Sequence, residues 1–225
     1  MVWFSEKVLS IDMILRHFLE TLRNVPIDAE PEELEAAAQQ EQQQQQEITP
    51  TVQLQRDIAT ILEPHFQSEA LVTQCLAWAE KQQHIMDFTR SGALTSAFAL
   101  LKRGISMVLE YNQAHPDFPL SPAVIESYIT KRLVFAILWG FSGSMVMKGR
   151  VELGEFVRSM TTIPLPDSSI PLIDYHVRVS DGEWFAWKER VPRIEVDPRN
   201  LAGSDVVIPT IDTGIITTLF SLRCY

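Results

Sequence analysis

The chain of 225 residues contains only two cysteines, Cys75 and Cys224. That number excludes a disulfide framework and a zinc cluster held by four thiolates, and it fits a reducing compartment. Basic residues are also few: 19 Lys+Arg stand against 29 Asp+Glu, for a formal charge of −10. An acidic excess of this size repels phosphate backbones, so nucleic acid is not an expected partner. Long apolar runs are lacking. The longest, LVFAILWGF at 133–141, has roughly half the ~20 residues a bilayer requires, so it reads as a buried helix and no membrane span is expected. The opening MVWFSEKVLS has no basic region followed by an apolar run, so no signal peptide is expected and the cytosol is the default location. Nucleotide and hydrolase signatures are missing too. The chain contains no G-x-x-x-x-G-K-[ST], no G-x-G-x-x-G, no H-E-x-x-H and no G-x-S-x-G.

What is present is a globular balance, with 46% hydrophobic and 21% charged residues, enough for one large domain or two small ones. The opening MVWF has no turn or cap before it and reads as the end of a buried strand whose partners lie elsewhere. Ser10 is an N-cap, Asp12 sits in the first turn, and Ile11, Ile14, Leu15, Phe18, Leu19 and Leu22 form the apolar stripe of a first helix ended by Pro26. From Asp28 to Glu47 the chain holds acids, alanines and a glutamine run with Leu34 as the one large apolar residue, which predicts a solvated insertion over 28–50. A run of helices is predicted next. Leu54, Ile58, Ile61 and Leu62 form a stripe stopped by Pro64. Ser68 is expected to cap a helix with Leu71, Val72, Cys75, Leu76 and Ala79 inward, and a longer helix covers about 85–111. Three prolines in HPDFPLSP break the pattern, Ser121 and Pro122 restart it, and 151–160 is a last amphipathic helix. After Ile163 the period becomes two. Ile173, Tyr175, Val177 and Val179 alternate with polar residues, Asp181-Gly182 is a hairpin turn, and EWFAWKERVPRIEV is its return arm. DVVIPTI at 205–211 reads as a further short strand, with Pro192 and Pro209 restricting these strands to edges or irregular paths.

Candidate chemistry is sparse. Cys75 lies on an apolar stripe and reads as a packed thiol. Ser142-Gly143-Ser144 reads as a helix-ending turn. Glu32, Glu33 and Glu35 read as a solvated face, and none of the five histidines pairs with another at metal-ligand spacing. Trp184 and Trp187 could stack on a base, but the acidity of the chain favours packing against a helix. In H-I-M-D-F-T-R at 84–90, Arg90 near a helix start is either a surface charge or a guanidinium aimed at a phosphate across a domain interface, where it can form two parallel hydrogen bonds.

The strings MVWFSE, LRNVP, HIMDFTR, YNQAHPDFP, TTIPLP, IDYHV, EWFAW, VPRIEV and DVVIPTIDT, in this order, resemble the cytoplasmic dynein heavy chains. The resemblance covers nearly the whole chain apart from the glutamine tract and the last dozen residues. It implies a mainly α protein: a helical AAA+ lid bundle followed by a small irregular β segment, α+β overall. Residues 1–9 would end the large subdomain of the second AAA+ module, 10–27 would be the first lid helix, and 51–162 the rest of the lid. Residues 163–213 would lead into the third module, and 214–225 would be a truncated remnant. TTLFSLRC, which follows IDT almost at once, resembles the stretch after the third module's phosphate loop, so the resemblance implies that an internal piece carrying that loop is missing here. The chain alone is therefore expected not to hydrolyse ATP, since phosphoryl transfer needs the lysine, the magnesium-holding Ser/Thr and the Walker B acid.

The resemblance further implies a minus-end-directed, ATP-driven microtubule motor in which the lid couples adjacent modules. ATP or ADP with magnesium would be the parent's cofactors. Arg90 would be a nucleotide-sensing arginine, and Pro209, Thr210 and Thr213 would pass close to the adenine; no catalytic or metal-binding residue is expected in this chain. Partners would be the other AAA+ modules and, through the parent, the dynein intermediate, light intermediate and light chains and microtubules, in the cytoplasm on the cytoskeleton. The residues alone also admit a free-standing helical interaction module with a flexible polyglutamine arm.

Overall fold

Ser10 Oγ accepts the Met13 amide at 3.2 Å, so the first helix, α1 (Ile11–Asn24), starts where its apolar stripe begins. The computed structural model describes residues 10–27 and 50–190. The expected opening strand, the insertion up to residue 49, and everything expected beyond Arg190 lie outside the described residues. Leu15, Phe18, Leu19 and Leu22 are the buried face of α1. Its C-terminal carbonyls have no partner within the helix and are met by a side chain from α2 (Pro50–Leu62). Gln55, fully buried, donates through Nε2 to the carbonyls of Leu22 (2.9 Å) and Val25 (2.8 Å), while its Oε1 accepts the Ile27 amide at 3.2 Å.

A 3-10 turn at Glu63–Phe66 carries Pro64 and leads to α3 (Leu71–Glu80). The N-cap of α3 is Ala70, with no side-chain bond, and not the expected Ser68. Glu69 takes a left-handed φ of 63° between them, which turns Ser68 away so that its hydroxyl donates to Asp12 Oδ1 at 3.3 Å. Phe66 then stacks within a triad across three elements. Phe18 of α1 lies 4.1 Å from Phe98 and 5.8 Å from Phe66, ring centroid to centroid.

Helix α4 (Arg90–Ala114) starts five residues later than the apolar pattern predicts and ends three later. Thr89 Oγ1 accepts the Gly92 amide at 3.2 Å and sets the start there. The preceding residues are held elsewhere: His84 bridges antiparallel to Met145, and the Ile85 amide donates to the Ser144 carbonyl at 2.8 Å. By length and composition α4 could cross a membrane, yet Leu94, Leu101, Ile105 and Val108 lie in the core of this bundle. Ser121 and Pro122 open α5 (Pro122–Phe141) as expected, with Ser121 Oγ accepting the Val124 amide at 3.4 Å. Every residue from 131 to 138 is buried. Helices α2, α3, α4 and α6 (Met147–Met160) all pack on α5, and α4 makes the most extensive contact.

The β segment is shorter than its alternation suggests. Leu172–Asp174 is a 3-10 turn, and only β1 (Tyr175–Val177) and β2 (Trp184–Ala186) pair, in the antiparallel register Tyr175↔Ala186, His176↔Phe185, Val177↔Trp184. Pairing stops at Arg178 because its carbonyl and amide close the turn, accepting from Gly182 and donating to Glu183. The return arm becomes helical at α7 (Trp187–Arg190), where a continued strand was expected. The described architecture is therefore mainly α, with one small antiparallel pair laid on α5.

The α4 and α5 backbones approach closely at Gly140, where an added Cβ would lie 2.7 Å from Ala97 N and 2.8 Å from its Cα. Gly140→Ala gains about 1 kcal/mol of helix propensity but overpacks the crossing at a cost of about 1–3 kcal/mol. A net loss of stability is expected in urea denaturation; a higher midpoint would show that the two helices are not this close.

Candidate functional site

Two charges meet at the junction of α3 and α4, each at the unfavourable end of its helix. Glu80 is the last residue of α3, beside the negative end of the helix dipole, and Arg90 is the first of α4, beside the positive end. They offset one another: Arg90 Nε donates to Glu80 Oε1 at 2.9 Å and Nη2 to Oε2 at 2.5 Å, a two-pronged pair. Hydrogen bonding from Arg90 holds the Glu80 carboxyl below its ordinary value. Both side chains remain accessible, 50% for Arg90 and 40% for Glu80, so the pair is worth about 0–1 kcal/mol.

The loop leading to Arg90 is pinned from two sides. His84 Nε2 lies 2.8 Å from the Ala79 carbonyl, which can only accept, so Nε2 carries the proton. Nδ1 lies within hydrogen-bond distance of the Ser144 hydroxyl, at 2.7 Å. This ties the end of α3 to the turn after α5 and leaves Ile85 and Met86 on the outside. Ser142 and Ser144 thus serve a helix-ending turn, as expected. Ser142 caps α5 and is buried, its hydroxyl donating to the Leu138 carbonyl at 2.5 Å.

The other sequence candidates are not gathered at Arg90. Cys75 is fully buried, and burial pushes its thiol up to about 12, which fits a packed and unreactive group. Trp184 donates through Nε1 to the Pro164 carbonyl at 2.9 Å, and Trp187 is buried against Phe135, so both pack in the bundle. Among the described residues no cluster of His, Cys, Asp or Glu could hold a metal ion. Pro209, Thr210 and Thr213, and the acids Glu32, Glu33 and Glu35, lie outside the described residues.

Two buried cations on α5 escaped the sequence reading. Lys131 is 3% exposed and Arg132 is 4% exposed. Lys131 Nζ donates to the Gly182 carbonyl at 2.7 Å and to Glu183 Oε1 at 3.0 Å. The Arg132 guanidinium lies over the Phe135 ring at 4.2 Å and reaches the Leu100 carbonyl at 3.5 Å. Burial lowers Arg132 below its ordinary value. No local signal marks either residue, since an isolated charge in a helix pattern normally faces water.

Because the Glu80 carboxyl is depressed in the folded state, the stability it contributes is present above the ordinary glutamate value and lost as pH falls through its lowered one. Glu80→Gln is therefore expected to lower stability by less than about 1 kcal/mol at neutral pH and by nothing in acid. Denaturant midpoints at the two pH values read this; a deficit that persists unchanged in acid contradicts it.

The comparisons with known proteins bear on the same elements. Residues 62–189 match the family described as Dynein heavy chain AAA lid domain. The chain is 45% identical over 214 residues to the cytoplasmic dynein heavy chain of Drosophila melanogaster, covering 95% of this chain and 5% of that protein. To the cytoplasmic dynein heavy chain of Dictyostelium discoideum it is 39% identical over 241 residues, with the same coverages of 95% and 5%. To that of Neurospora crassa it is 34% identical over 215 residues, again covering 95% and 5%. The chain thus spans about 5% of the length of these relatives. A bundle of helices carrying a short hairpin, matched along its length from the end of α2 into α7, belongs to the dynein heavy chain family.

Proposed function

We propose that this chain forms part of the motor ring of a cytoplasmic dynein heavy chain and passes nucleotide-dependent movement from one AAA+ module to the next. The helical bundle is the lid of the second module, and the segment from residue 163 onward leads into the third. The parent is a minus-end-directed, ATP-driven microtubule motor in the cytoplasm, assembled with intermediate, light intermediate and light chains. The observation that carries this reading is the family match over 62–189, which spans α3 to α7 and the hairpin together. The tight α4–α5 crossing supports it, since a lid must move as a rigid body to transmit displacement.

The nucleotide cofactors of the parent, ATP or ADP with magnesium, meet one suitable group among the described residues. Arg90 presents a half-exposed guanidinium that meets a carboxylate in the same two-pronged geometry that a phosphate offers. Exchanging a surface carboxylate for a phosphate costs little, because the pair it breaks is weak. We assign Arg90 the role of sensing nucleotide across the module interface, and Pro209, Thr210 and Thr213 proximity to the adenine. The described residues offer no carboxylate cluster suited to magnesium, so no phosphoryl-transfer step is assigned to them.

The test compares two variants in a full-length heavy chain. Arg90→Ala removes the sensing group and is expected to weaken nucleotide retention by roughly tenfold to a hundredfold. Glu80→Gln removes the carboxylate that Arg90 pairs with and is expected to leave retention unchanged or improved. If both variants act alike, or neither changes nucleotide binding, Arg90 is only half of a structural ion pair.

A further inference from the structure

We propose that the β1–β2 hairpin and α7 form a strap that is fastened to α5 at Lys131 and can come away as one unit while the helices stay folded. The strap carries its own internal bonds. The two strands pair in register, Arg178 meets Asp181 at 3.0 Å, and Asp181 Oδ1 accepts the Glu183 amide at 3.0 Å. These survive if the strap lifts.

Its described polar attachment to α5 centres on the Gly182 carbonyl, with Glu183 Oε1 a second acceptor for Lys131 at 3.0 Å. The Gly182 carbonyl receives Lys131 Nζ at 2.7 Å and Ser127 Oγ at 3.2 Å, two donors one helical turn apart. Gly182 sits at φ +67°, and a Cβ there would lie 3.0 Å from the Val124 carbonyl oxygen and 3.1 Å from the Tyr128 amide nitrogen. Both are backbone atoms of α5 that cannot move aside, so the strap tip reaches α5 only because residue 182 is glycine.

Lys131 is buried beneath the strap and not within the helix layer, since its partners are Gly182 and Glu183. Lifting the strap returns its ammonium to water and so leaves no unpaired buried charge behind. Beyond these, Val177 is buried in the core cluster with Val179 and Trp184 packed against it, Trp184 donates to the Pro164 carbonyl, and Trp187 packs on Phe135. The fastening therefore sets where α7 lies on the bundle. This holds independently of the coupling reading, and its test reads protection of the hairpin and not motor output.

Limited trypsin digestion of the 225-residue chain, with fragments weighed by mass spectrometry, tests it. Arg178 and Lys188 are two cleavage sites within the strap. In Gly182→Ala and in Lys131→Ala, cutting at both sites should accelerate about tenfold or more, with helical circular dichroism retained and Trp fluorescence shifted to the red. Gly182→Ala changes no side chain of the bundle and leaves Lys131 in place, so it keeps the test valid if Lys131→Ala fails to fold. Unchanged cleavage in Gly182→Ala overturns the proposal, as does simultaneous opening of sites throughout the helices.

Discussion

The eight consecutive buried residues of α5, from 131 to 138, make up two full turns with no face left for water. An α-helix in that position cannot be stable on one side of a core; it has to be surrounded. Helices α2, α3, α4 and α6 supply most of the cover, and β1 with the turn before it supplies the rest. Burying a single leucine or phenylalanine side chain contributes about 1.5–3 kcal/mol, so Leu133, Val134, Phe135, Ile137 and Leu138 together outweigh anything a surface ion pair offers. The same constraint forces the two charges in this stretch to be resolved locally. Lys131 finds a carbonyl and a carboxylate on the hairpin, and Arg132 finds an aromatic face.

That requirement also shows which parts of the fold were legible in the sequence. The α1 stripe, the Ser10 cap, the Ser121-Pro122 start, the buried run of α5 and the Asp181-Gly182 turn are local patterns, and the structure contains each of them. Several of the errors are long-range. Gln55 looks like a polar helix residue, yet it caps a helix some thirty positions earlier. Ser68 looks like an N-cap, but its hydroxyl is used by Asp12, 56 positions away. The apolar residues at 85 and 86 extend the α4 pattern backwards, but the bridge from His84 to Met145 holds that segment out of the helix. Lys131 is buried only because a hairpin arrives from fifty residues later.

The candidate site was half legible. The motif at 84–90 pointed to Arg90, and the structure places it at the first position of the longest described helix. Its partner Glu80 was not foreseen, because nothing in the sequence announces that the ends of α3 and α4 meet. In that meeting each charge offsets the other's unfavourable helix dipole, and the pair is still weak enough to exchange. Such a pair suits the sensing role proposed for Arg90, since exchanging it would leave the core unchanged.

The central claim is that α5 is sheathed on every side and that the bundle folds around it as one cooperative unit. Native-state hydrogen exchange as a function of denaturant measures this directly. The amides of 131–138 should be the slowest in the chain, exchanging only through global unfolding and with the full dependence on denaturant. Exchange of these amides through a local opening, at a free energy well below that of global unfolding, would contradict the account.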